Sequence, residues 1–110
     1  MYSTITTKIE NHIMTITFNR PESLNSFNLP MMQDLVAAYH SADQDDDVRV
    51  IIVTGAGRAF CAGADLSSGD DTFTSELSAE DFRDKGGQLS LVVHRLKKPV
   101  IAAINGHAVG

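Results

Sequence analysis

Two stretches of small residues hold the positions where chemistry could take place. Ala59-Phe-Cys-Ala-Gly-Ala-Asp-Leu66 follows the apolar run Val48-Arg-Val-Ile-Ile-Val53, and Asn105-Gly-His-Ala-Val-Gly110 follows Pro99-Val-Ile-Ala-Ala-Ile104. The first contains the single cysteine, Cys61, and a nucleophilic thiol with His107 or His94 as base is one reading. Flanked by Phe60 and Ala62, with no charge asymmetry to lower its pKa, Cys61 reads instead as a small buried hydrophobe. The histidines lack ligand spacing to one another, which argues against a metal site. Gly55-Ala-Gly57 follows a strand like a dinucleotide-binding turn. The third glycine of that fingerprint is missing, because Phe60 stands in its place, and no Gly-Lys-Ser/Thr follows for a phosphate loop.

What remains is chemistry by backbone. A thioester carbonyl becomes an oxyanion when its α-carbon loses a proton or a nucleophile adds conjugately, and two aimed amide N–H groups stabilise that charge. Such a site needs small side chains, so that the ligand can lie against the main chain. Ala62-Gly63-Ala64 and Gly106-His-Ala-Val-Gly110 both fit, each at the end of a strand. Close packing of strand on strand accounts for the same pattern, and pattern alone leaves the two open.

The elements that must carry these segments are readable from period and punctuation. Ile5 to Ile9 and Ile13 to Phe18 alternate as two strands around a tight turn at Glu10-Asn11-His12. Residues 19–25 form a loop, since Pro21 cannot extend a ladder. Asn28 is placed to cap a helix with Pro30 in its first turn and Met31, Leu35, Ala38, Tyr39 and Ala42 at helical spacing. Val48–Val53 is a buried strand, Gly55 and Gly57 a turn, and Ala59-Phe60-Cys61 a short strand beyond it. Residues 66–78 read as an irregular polar loop. Ser78 with Asp81 resembles a capping box for a second helix, whose buried face is Phe82, Leu89, Val92, Val93 and Leu96. Gly86-Gly87 is expected to bend or fray it, Lys97 and Lys98 to complement its C-terminal dipole, and Pro99 to stop it. Pro99–Ile104 is a second buried strand. A β-β-α theme thus recurs without sequence repetition.

The chain has 110 residues, 43% hydrophobic and 21% charged, with a net charge of −5, the composition of a folded domain and not of a disordered segment. Acidic runs at Asp43 to Asp47 and from Asp65 to Asp84 read as solvated surface, and no basic stripe offers a nucleic-acid backbone a partner. One cysteine excludes a disulfide framework within the chain. The N-terminal residues lack the layout of a signal peptide and no apolar run reaches membrane-spanning length, so a reducing cytoplasm is the expected location.

Three segments carry a resemblance. Asn19-Arg-Pro-Glu-Ser-Leu-Asn25, Val50-Ile-Ile-Val-Thr-Gly-Ala-Gly-Arg-Ala-Phe-Cys-Ala-Gly-Ala-Asp-Leu66 and Lys98-Pro-Val-Ile-Ala-Ala-Ile-Asn-Gly-His-Ala-Val-Gly110 closely resemble the enoyl-CoA hydratase/isomerase, or crotonase, family. The resemblance implies an α/β fold, the crotonase (ClpP-like) spiral of repeated β-β-α units, with residues 1–110 the N-terminal part of a single domain. It implies acyl-CoA thioester substrates, coenzyme A entering as part of the substrate with no prosthetic group, and assembly as trimers or hexamers. It assigns Ala64 one oxyanion amide and Gly110 the opening of the run that forms the other half of the hole, the second donor usually being the glycine after it. Ala62, Ala64, Asp65 and Leu66 match the backbone that lines the CoA site, and Ser23 and Leu24 the loop flanking the same arm. Serines stand at 23 and 67 where many relatives carry Lys or Arg near the CoA phosphates. In the family the acid/base carboxylates lie past the position of Gly110. The 110 residues alone are therefore expected to be inactive. Hydratase and isomerase chemistry share everything up to that point, and a non-catalytic CoA-binding or oligomerisation module is the alternative.

Overall fold

A computed structural model describes residues 2–64 and 79–109, and the side chains of all of these except 79–86. The element order is β1 (Ile5–Glu10), β2 (Ile13–Phe18), α1 (Leu29–Gln44), β3 (Val50–Gly55), β4 (Ala59–Cys61), α2 (Ala79–Arg95), β5 (Val100–Ala102) and β6 (His107–Ala108), with a 3₁₀ turn at Pro21–Ser23. The β-β-α theme holds. β6 extends it by a strand that the His-Ala-Val pattern, only two residues long as a strand, does not reveal.

β1 and β2 form a hairpin with Ile5 opposite Phe18 and Glu10 opposite Ile13. Asn11 and His12, both at positive φ (54° and 65°), make the two-residue turn that matches the twist of paired strands. β3 pairs parallel to β2 and β5 parallel to β3, giving the sheet order β1-β2-β3-β5, while β4 and β6 form a separate parallel pair. Each parallel connection needs a crossover, supplied by α1 and α2.

α1 starts where the sequence says it should. Asn28 is extended (φ −128°, ψ 175°) and its Oδ1 accepts from the Met31 N–H at 2.9 Å. The stripe Met31, Met32, Leu35, Ala38, Tyr39 and Ala42 is buried against Met14, Ile16 and Phe18 of β2 and Ile51 and Val53 of β3. Each large apolar side chain fully removed from water here contributes about 1.5–3 kcal/mol before the cost of ordering it. Thr4 ties the start of β1 to this helix, its N–H and Oγ1 donating to Asp34 Oδ2 at 3.0 and 2.7 Å.

Four expectations are corrected. β3 begins at Val50 and runs on to Gly55, because Val48 and Arg49 belong to the turn whose amides bond Asp45 and His12 carbonyls. α2 does not fray at Gly86-Gly87 but runs on as helix to Arg95, with Leu89, Val92, Val93 and Leu96 packed on the core. Lys98 serves α1 and not its own helix: its Nζ donates to the Ala42 and Asp45 carbonyls, both at 2.6 Å. β5 is shorter than Pro99–Ile104 and is not buried. Among the described residues it is the outer strand of the sheet, with Ile101 53% exposed. The Ser78–Asp81 cap, the 66–78 loop and the side chain of Phe82 lie outside the described residues.

Candidate active site

The parallel strands β3 and β5 deliver the two small-residue segments side by side. After β3 the chain turns at Gly55–Arg58 into β4; after β5 it passes Asn105 and Gly106 into β6, and β6 pairs with β4, Ala59 beside His107 and Cys61 beside Ala108. Gly106 is demanded by proximity. A Cβ there would run into the carbonyl oxygen of Arg58 and come within 3.2 Å of Ala59 Cα.

The direction of the Ala64 amide follows from its neighbours' hydrogen bonds. A trans peptide is planar, with its C=O and N–H on opposite sides. The Phe27 N–H donates to the Gly63 carbonyl at 2.7 Å, so the Ala64 N–H, in that same peptide, faces away from Phe27. Two residues earlier the orientation is reversed: the Ala62 N–H donates to the Leu24 carbonyl at 3.1 Å, and the Cys61 carbonyl, on the other side, accepts from the Val109 N–H at 2.9 Å. Peptides two apart in a regular strand point the same way. Gly63, at φ 104°, breaks the repeat and turns the Ala64 N–H toward the side on which Val109 lies. Ala64 is exposed, and among the described residues nothing accepts from its N–H.

Of the residues singled out from sequence, Leu24 and Ala62 are joined directly by that hydrogen bond, and Ala64 is bridged to Phe27 on the same loop. Ser23 ends the 3₁₀ turn, half-buried, its N–H on the Arg20 carbonyl at 3.0 Å. Asp65, Leu66 and Gly110 lie outside the described residues. Cys61 is half-buried and packs against the core. Away from this segment, hydrogen bonding and charge within a surface pair raise Lys8 and lower Glu10, and burial pushes Tyr39 up to about 12. Sequence reasoning passed over Asn25, Phe27 and Asn105, whose contacts are made across 30 to 50 residues. The one local signal was an asparagine in a turn, which tolerates positive φ.

The profile of the family described as enoyl-CoA hydratase/isomerase matches residues 8–110. The chain belongs to the enoyl-CoA hydratase/isomerase family. It is 43% identical over 97 residues to the probable peroxisomal enoyl-CoA hydratase 1 of Arabidopsis thaliana, covering 88% of this chain and 35% of that protein. It is 40% identical over 115 residues to the 1,2-epoxyphenylacetyl-CoA isomerase of Escherichia coli K12, covering 100% of this chain and 43% of that one. The solved structure of Pseudomonas aeruginosa PA4980 superposes with a TM-score of 0.88 at 34% identity, over 98% of this chain and 46% of the other. The chain thus spans less than half the length of these proteins, and within that span its architecture is the crotonase one.

Proposed function

We propose that this chain contributes to an enzyme acting on acyl-CoA thioesters, as a hydratase that adds water to 2-enoyl-CoA in fatty-acid degradation. The observation that carries the reading is the N–H of the exposed residue Ala64, which has no acceptor among the described residues and is turned by Gly63 away from the loop that pins its strand. A thioester oxygen set against that N–H gains most when negative charge develops on it, so the amide favours the enolate over the bound substrate. Leu24 and Ala62, held together by their own hydrogen bond, with Ser23 beside them, make the wall along which the CoA arm runs, and the family motif assigns Asp65 and Leu66 to the same arm. Gly110 opens the run that supplies the second donor. Protons move through carboxylates that no described residue supplies. Isomerisation of an enoyl-CoA uses the same amide, and the match of this whole chain to 43% of a 1,2-epoxyphenylacetyl-CoA isomerase keeps it as the second reading. Trimers or hexamers in the cytoplasm complete the proposal.

The test uses the full natural chain and two substitutions at one position. Ala64→Pro removes the N–H, and kcat on crotonyl-CoA is expected to fall about a hundredfold or more. Ala64→Gly keeps the N–H and is expected to cost far less. Melting and CoA binding establish that both variants fold. Equal turnover by the two folded variants overturns the assignment.

A further inference from the structure

Two asparagines from distant parts of the chain converge on one carbonyl oxygen. Asn25 is fully buried, in the left-handed region at φ 56°. Its Oδ1 accepts from the Arg20 N–H at 2.9 Å, and its Nδ2 donates to the Ala56 and Ala59 carbonyls, both at 2.9 Å. Asn105 comes from beyond β5. Its Oδ1 accepts from the Gly55 N–H at 3.0 Å, and its Nδ2 donates to the Gly57 carbonyl at 3.1 Å and to that of Ala59 at 3.3 Å. The turn closes so tightly here that a Cβ on Gly55 would lie 2.6 Å from the Ala59 oxygen and 2.9 Å from Asn25 Nδ2.

Each asparagine sits on the segment that borders one side of residues 61–64. The Asn25 loop also supplies the Leu24 carbonyl that takes the Ala62 N–H and the Phe27 N–H that takes the Gly63 carbonyl. The Asn105 segment leads into β6 and the Val109 N–H on Cys61. Both borders are therefore referenced to the Ala59 oxygen, four residues before Gly63, where the peptide that carries the Ala64 N–H begins. We propose that Asn25 and Asn105 are positioning residues, which set the angle and distance of the Ala64 amide by locking both flanks of its strand to the Ala59 carbonyl. The inference rests on the reading of Ala64 as an oxyanion donor. Neither asparagine needs to touch the ligand. Asn25, buried with both ends of its amide bonded, holds one geometry and Asn105 fixes the other flank from the surface; a donor misplaced by about 1 Å costs about a hundredfold in rate.

The experiment uses the full natural chain, crotonyl-CoA turnover and the absorption of bound cinnamoyl-CoA, whose band moves to the red when its carbonyl oxygen accepts hydrogen bonds. Asn25→Gly keeps the left-handed backbone and deletes both arms. Asn105→Ala deletes the other clamp from an exposed position and decides the matter alone if the first variant does not fold. Each is expected to lose about half or more of the red shift and about tenfold or more in kcat, with KM within about threefold. Because both act on one oxygen, the double variant is expected to lose less than the product of the two. Lys98→Met, which loosens α1 at the opposite end of β5, serves as a destabilised control and should keep the full shift. Folded asparagine variants with the wild-type shift and kcat overturn the proposal alone. A wild-type protein that never shifts the band overturns the oxyanion reading, and this proposal with it.

Discussion

At Gly63 a φ of 104° puts the backbone where a Cβ would clash, so any other residue must leave that conformation or hold it under strain. In Gly63→Ala the 63–64 peptide is expected to swing, re-aiming the Ala64 N–H. The variant should lose about 1–3 kcal/mol of stability and about a hundredfold in kcat in the full natural chain. Stopped turnover assays beside a melting curve check this; undiminished kcat would mean that the orientation of this amide is irrelevant. Cys61 gives the opposite expectation. Its carbonyl, and not its thiol, holds Val109, so Cys61→Ala should keep kcat within about twofold and cost about 1 kcal/mol in stability. A collapse of kcat in a folded Cys61→Ala protein would restore the thiol as nucleophile.

At the scale of the elements, α1 is finished by a side chain from elsewhere. Its N-terminus is closed locally by Asn28. Its C-terminal carbonyls at Ala42 and Asp45 receive the ammonium of Lys98, more than fifty residues away, while the Lys97 N–H reaches Asp43 Oδ1 at 3.0 Å. The end of α1 and the start of β5 are thereby held together. Lys98→Met keeps the aliphatic stem and removes both charge-assisted bonds, so a loss of about 1–3 kcal/mol is expected in urea unfolding. A midpoint equal to wild type would show the ammonium to be fully replaceable by water.

Across the whole molecule, stability is expected to depend on alkaline pH through Tyr39, which is 5% exposed where α1 meets the sheet. Burial raises its phenol to about 12 in the folded protein, against about 10 when unfolded. The folded state therefore favours the neutral form. Its stability is fully present below pH 10 and falls as pH rises from about 10 to about 12, by roughly 2–3 kcal/mol. Tyr39→Phe should flatten that fall in denaturation curves taken across the window; an equally steep decline in both proteins would place the effect on other groups. The described surface also carries Ile101, Ile104 and Val109, all more than half exposed, on and around β5 and β6. They flank the segment that bears Asn105, so this face adjoins the candidate site.

By itself the sequence determined what depends on short-range physics. The cap at Asn28, the stripe from Met31 to Ala42, the alternation in β2 and the short strand Ala59–Cys61 are all written in spacings of two to four residues. The small residues at 62–64 marked a place for close approach, and the motifs around them marked the family. What only the tertiary structure decided are contacts between segments far apart in the chain. Nothing in Lys98-Pro99 says that its ammonium ends α1, and nothing in Ile101 says that its strand lies at an edge. The direction of the Ala64 N–H, too, depends on Phe27 gripping the carbonyl of its own peptide and Leu24 the Ala62 N–H two peptides earlier, with Gly63 free to turn between them. A sequence shows which residues allow such a turn. Which way the amide then faces is settled by the strands that close on either side of it.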